Sequence, residues 1–163
     1  MAPDFQPSDA SGGRRGRIAA EPPERQSGLL AKWAAIYFAL VFGVGFALGP
    51  IRVLWLEPKV GVRAAELIEA PFMFLAIVLA GRWVGQRLSR KGGTMTRLGA
   101  GLAAAGLVLA FDVAVGVGLR GMSAAQVFTE RDPVSGTVYY ALVALTAIAP
   151  AVLGRPDNAR SNG

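Results

Sequence analysis

Long apolar runs separated by short charged stretches organise this chain. Trp33 to Ile51 is a run of 19 residues without a charge. A helix needs ~20 mostly apolar residues to cross a bilayer, so this run predicts a first span at about 33–51. Ala64 to Leu88 is less uniform, because its uncharged core, Ala70 to Gly81, is only 12 residues long. It reaches spanning length as 64–88 with Glu66 and Glu69 near one rim and Arg82 near the other, where a charge costs less than at the centre. Leu98 to Leu119 is 22 residues with one charge, Asp112, and predicts a span at 98–119. Pro133 to Gly154 is 22 residues with none and contains a fourth span at 137–153. The fold class is therefore all-α: a polytopic membrane protein with a four-transmembrane-helix bundle in residues 29–154.

The rest of the chain is short and polar. Residues 1–28 hold Pro3, Pro7, Pro22, Pro23 and alternating charges. That composition cannot bury enough surface to offset its ordering entropy, so it reads as a disordered tail. Residues 155–163 form a second polar tail. The leading tail is long for the charged end of a signal peptide, and Pro50 stands where cleavage would fall, so the first span reads as an uncleaved anchor. The connections 52–63, 89–97 and 120–136 are too short for a soluble domain. The last contains Ser123-Ala124-Ala125-Gln126, a capping-box pattern. It starts a turn or two of helix ended by Asp132-Pro133, or it is a plain loop.

Composition narrows the chemistry. The 163 residues are 53% apolar and 17% charged, with net charge +6 and neither Cys nor His. A disulfide framework, a cysteine nucleophile, thiolate zinc, His- or Cys-held haem and His-based triads are excluded. Gly116-Val117-Gly118-Leu119-Arg120-Gly121 has the letters of a dinucleotide fingerprint. That motif works only between a strand and a helix, and here it ends a membrane helix. Nothing else has the spacing of a phosphate loop or a metal site. The chain reads as no enzyme, with no cofactor and no metal.

The basic residues are uneven. With four spans, both tails and the second connection share a face carrying twelve Lys and Arg against five on the other. The positive-inside rule makes that face cytoplasmic, termini included, in a bacterial inner membrane. Arg87, Arg90, Lys91 and Arg97 surround a Gly92-Gly93 turn. They read as a basic loop facing anionic lipid headgroups, and not as a nucleic-acid patch. Trp33, Tyr37 and Trp83 fall near the cytoplasmic rim, and Trp55, Tyr139 and Tyr140 near the other, as an aromatic belt would.

Small residues mark contact faces in lipid. Each span carries one stripe: Gly45 and Gly49; Gly81 and Gly85; Gly101, Ala105, Val108, Asp112 and Gly116; Tyr140, Ala144, Ala147 and Ala151. Four stripes suit a bundle closing on itself, and they also suit a homodimer or a larger membrane complex.

The candidate site is a set of membrane-embedded charges: Arg52, Glu66, Glu69 and Asp112. Glu66 and Glu69 share a helix face at i, i+3. Glu69 lies ~8 Å and Asp112 ~10 Å along their helices from the non-cytoplasmic ends, so the two share a depth. Pro71 follows directly, and a break near Ala70 would free backbone carbonyls beside the acids. One reading is a proton or cation site made by the three carboxylates, with Arg52 as counter-charge. The other is structural: Arg52 pairs with Glu69, and Asp112 forms a hydrogen bond across helices.

Gly49, Arg52, Leu54, Pro58, Gly61, Ala65, Glu66, Glu69 and Pro71 form a G-x-x-R-x-L, P-x-x-G, A-E-x-x-E-x-P run. It resembles a group of small uncharacterised bacterial inner-membrane proteins. The resemblance covers roughly a third of the chain and implies a helical membrane protein with four spans, without implying an activity. The expected function is that of a non-catalytic accessory or structural membrane component. The alternative is a small proton- or ion-coupled permease or channel subunit.

Overall fold

The computed structural model describes residues 23–90, 92–129 and 132–154. Among them there is no strand, and the protein is an all-α bundle. Four helices are long and apolar enough to cross a membrane, which makes this a multi-pass membrane protein. The long elements are α1 (Pro23–Ile51), α3 (Val62–Ser89), α4 (Thr94–Arg120) and α6 (Pro133–Leu153). Two short helices, α2 (Glu57–Val60) and α5 (Ala124–Thr129), sit in connections at one end of the bundle. That end is called the Gly61 end below, and the opposite one, where α3 turns into α4, the Gly92 end.

The helices alternate in direction. α1 packs beside α3 and α4, and α6 packs beside the same two from the other side. The core is small and lies inside this ring: Tyr37 and Val41, Ile77 and Val84, Ala100 and Ala104, and Ala149 are all buried. The large apolar side chains point outward instead. Phe46 and Leu54 are each 71% exposed and Trp55 68%. Water would not tolerate such a surface, whereas lipid is its natural solvent.

The first connection differs from the expected one. Instead of ending at Ile51, α1 passes into a π-helical stretch, Arg52–Leu56, and then into α2, so the chain stays helical to Val60. The turn comes at Gly61, whose φ of +80° suits a residue without Cβ. The charges Arg52 and Glu57 suggest a loop at 52–63, but a wide π turn places residues five apart above one another. These two form an ion pair there at 3.5 Å. Pro50, inside α1, withholds one amide from the ladder just before this stretch.

The helix does not break near Ala70. α3 runs through Pro71 as one helix, and Pro71 lies on its exposed side. α1 begins at Pro23, inside the stretch assigned to the tail 1–28, and a proline suits a first helical turn. Residues 1–22 and 155–163 lie outside the described residues.

Two connections follow local rules. The Ser123 and Gln126 side chains cap each other's amides at 2.7 and 3.2 Å, a reciprocal capping box that starts α5. Asp132 caps α6 by accepting from the Val134 and Ser135 amides, and Pro133 occupies the first turn. Gly121, at φ +66°, ends α4, so the glycines of the apparent dinucleotide fingerprint serve a helix terminus.

Glycine decides how closely helices meet at the Gly92 end. A Cβ added at Gly85 would collide with the Pro150 carbonyl and the Gly154 backbone, and one at Gly81 would lie 2.7 Å from the Ala149 Cβ. Gly101 is pressed in the same way against the Ala147 carbonyl. α6 therefore touches α3 and α4 nearly backbone to backbone. The stripe on α1 behaves differently. Gly45 has only the tip of Met73 at 3.5 Å, and Gly49 has nothing within 4 Å. On α6 the expected stripe makes contact only toward the Gly92 end: Ala151 is buried and the Ala147 carbonyl meets Gly101, with Ala149 and Pro150 buried beside them, while Tyr140 and Ala144 are exposed.

Candidate functional site: an ion cluster beside a membrane-level cavity

Arg52 is the centre of the site. Its guanidinium lies 3.3 Å from Glu69 Oε2, 3.5 Å from Glu66 Oε1 and 3.5 Å from Glu57 Oε1. The π turn brings Glu57 under Arg52, and the antiparallel packing of α1 and α3 brings Glu66 and Glu69 to it. Glu66 and Glu69 work as the i, i+3 pair expected from the sequence. Glu57, five residues beyond Arg52 and near it in the sequence, joins the cluster through the five-residue turn.

The cluster is partly shielded. The side chains of Arg52 and Glu69 are 27% and 13% exposed. Arg52 Nε, which faces Glu57, and Glu69 Oε2, which faces Arg52 Nη1, are buried atoms without a hydrogen bond, so these contacts are ion pairs rather than a bidentate fork. One guanidinium faces three carboxylates, leaving the cluster formally negative. Buried charge is costly unless paired, and here three acids share a single cation.

Asp112 does not join the cluster directly. It accepts a hydrogen bond from the Tyr139 hydroxyl at 3.1 Å, which links α4 to α6. Tyr139, expected in an aromatic belt, instead turns its hydroxyl inward. Tyr37 departs further from the belt reading: it is fully buried, and its hydroxyl donates to the Ile77 carbonyl at 3.5 Å.

A cavity of 390 Å³ connects the two polar groups. Arg52, Glu66 and Glu69 line it from one side, and Asp112 and Tyr139 from the other. Apart from Ser135 and Thr146 its remaining walls are apolar, with Phe42, Phe46, Phe111 and Met73 among them. Phe42 and Phe111 pack at 4.9 Å across α1 and α4. The open stripe of Gly45 and Gly49 also borders the cavity, and the missing side chains there leave room for it. The shared depth expected for Glu69 and Asp112 thus takes the form of one cavity lined by both. Among the described residues no cluster of acids has the geometry to hold a metal ion.

The expected basic loop divides. Arg87 and Arg90 are exposed at the Gly92 end, with Arg87 5.4 Å above the Trp83 ring. Trp83 in turn packs edge-on against Trp33 at 5.7 Å. Lys91 lies outside the described residues. Arg97 does not face lipid: it is only 6% exposed. Its guanidinium donates to the Gly154 carbonyl and to Ser89 Oγ at 2.8 Å, and to Thr94 Oγ1 at 2.9 Å. It caps the end of α6, where unpaired carbonyls favour a cation. Ser89 Oγ bridges to the same Gly154 carbonyl. Sequence spacing could not separate Arg97 from its basic neighbours, because Ser89 and Gly154 come to it from α3 and the end of α6.

At the Gly61 end, Arg63 and Asp132 form an exposed pair, with Arg63 Nε 2.9 Å from Asp132 Oδ2. It ties the start of α3 to the cap of α6. The Arg63 hydrogen bond, aided by the Ser135 and Val134 amides, holds the Asp132 carboxyl below the usual carboxylate range.

Compared with protein-family models, with curated proteins and with solved structures, the chain matches none.

Proposed function

We propose that this protein is a non-catalytic accessory or structural component of a bacterial inner membrane, with both termini cytoplasmic. The observation that carries the reading is Arg52, which ties α1 to α3 through two carboxylates while Tyr139 and Asp112 tie α6 to α4. Polar contacts of this kind specify which helices meet inside lipid. The exposed Arg87 and Arg90, together with the Trp33–Trp83 pair, support contact of the Gly92 end with anionic headgroups on the cytoplasmic side. The apolar exterior also suits association with a second copy or a larger membrane complex.

The cavity favours a second reading, a small proton- or ion-coupled permease or channel subunit using Glu66, Glu69 and Asp112. Intramembrane carboxylates beside a cavity are the usual mark of an ion pathway. A liposome flux assay on the pure protein separates the two. The structural reading expects no pH-dependent flux, and Glu69→Gln then only lowers the melting temperature in detergent. Flux that Glu69→Gln abolishes while the fold stays intact overturns it.

A further inference from the structure

We propose that the cavity at the Gly61 end is a binding site for a protonated organic amine with a compact apolar body. This goes beyond the scaffold reading and does not depend on it, because a ligand held at equilibrium need not be carried across. Charge is the first observation. Four ionisable side chains line the cavity, Arg52, Glu66, Glu69 and Asp112, and three of them are acids. Arg52 is already engaged by Glu66 and Glu69 and by Glu57 outside the lining. The polar part of the cavity therefore carries a formal excess of negative charge that a bound cation would offset.

A second, independent observation is Ser135. This residue is 3% exposed and its Oγ has no hydrogen-bond partner, yet it borders the same cavity. A buried hydroxyl left unpaired loses its hydration without compensation, so such a group calls for a partner. An ammonium group offers three N–H donors, enough for a hydroxyl and two carboxylates together.

The walls choose between kinds of cation. Phe42, Phe46 and Phe111 present an aromatic surface in mutual contact, and Met73 completes it. A hydrated inorganic ion gains nothing from such walls. An organic amine buries its apolar body there, and its charge is further attracted by ring faces. The volume of 390 Å³ lies within the range of small-molecule sites, ~300–1,000 Å³.

Isothermal titration calorimetry on the full chain in lipid nanodiscs tests this with 4-phenylbutylammonium, using empty nanodiscs as the blank. The neutral 4-phenylbutanol and the anionic 4-phenylbutanoate are the controls. The expected result is saturable one-to-one binding of the amine, at least tenfold tighter than the alcohol, with no binding of the carboxylate. Asp112→Asn, which keeps an acceptor for Tyr139, weakens the amine at least tenfold, and Ser135→Ala weakens it about threefold. Val115→Trp, which fills the cavity and leaves every charge in place, abolishes it, whereas Asp132→Asn outside the cavity leaves it unchanged. Equal affinity for amine and alcohol, uptake no greater than in empty nanodiscs, or full binding by folded Val115→Trp protein overturns the proposal. Amine binding without flux leaves the scaffold reading intact, and flux without amine binding defeats the two separately.

Discussion

At the Gly92 end, α6 meets α3 and α4 with glycine and alanine at the points of contact, and Arg97 closes the end of α6. At the Gly61 end, the same four helices stand around a cavity, and polar side chains link them in pairs. In water the hydrophobic effect would draw both halves closed. In lipid it does not act between helices, so close packing and specific polar contacts decide the spacing. The comparison shows two ways of holding helices within one bundle. Small residues let backbones touch where they face backbone, as Gly85 does. The same residue type leaves space where nothing faces it, as Gly49 does.

The largest expected effect tests that difference directly. Gly85→Ala places a Cβ against backbone that cannot move aside, and overpacking of this kind costs about 1–3 kcal/mol. Gly49→Ala meets nothing and gains up to ~1 kcal/mol of helix propensity. Thermal melts in detergent should therefore move in opposite directions. A common sign would show that the two glycines do the same job.

Arg97 comes next. Arg97→Met removes the donors that satisfy the Gly154 carbonyl and Ser89 Oγ, at a cost of about 2 kcal/mol, again read by thermal melting. Arg97→Lys recovers only part, since a point charge lacks the planar fork. An Arg87→Met variant should melt like the parent protein, which sharpens the contrast between the buried and exposed members of the basic loop.

The smallest effect concerns the exposed rim of the open half. Asp132 has a native pKa below its unfolded value of about 3.9. Its contribution to stability is therefore present above that value and lost as pH falls through the native pKa. Asp132→Asn should flatten this part of the acid limb, seen as a smaller loss of melting temperature between pH 7 and pH 3. An unchanged acid limb would mean that the pair with Arg63 does not matter to the fold.

Hydropathy made the four spans legible because an uncharged run of spanning length has few alternatives, and the Ser123–Gln126 capping box was legible because its partners are three residues apart. What escaped depends on contacts between distant segments. Arg97 looks like its neighbours until Gly154 is brought to it. Arg52 looks like the start of a loop until a π turn stacks Glu57 beneath it. Small-residue spacing located the stripes and not their use, since Gly45 and Gly85 differ only in what lies opposite. Of the site, Arg52, Glu66, Glu69 and Asp112 could be named from charge and depth alone. Ser135 and Tyr139 could not, because each looks ordinary in a polar helix start.

The contrast between a sealed half and an open, negatively charged one can be tested directly. The chain has no cysteine, so single introduced thiols report cleanly. Gly49→Cys borders the cavity, and Ala100→Cys replaces a residue with 0% exposure in the closed half. The measurement is their rate of modification by a trimethylammonium methanethiosulfonate, beside that by the sulfonate analogue. The account predicts rapid modification at position 49, faster with the cationic reagent than with the anionic one, and protection at position 100. Equal rates at the two positions, or no preference for the cation at position 49, would contradict it.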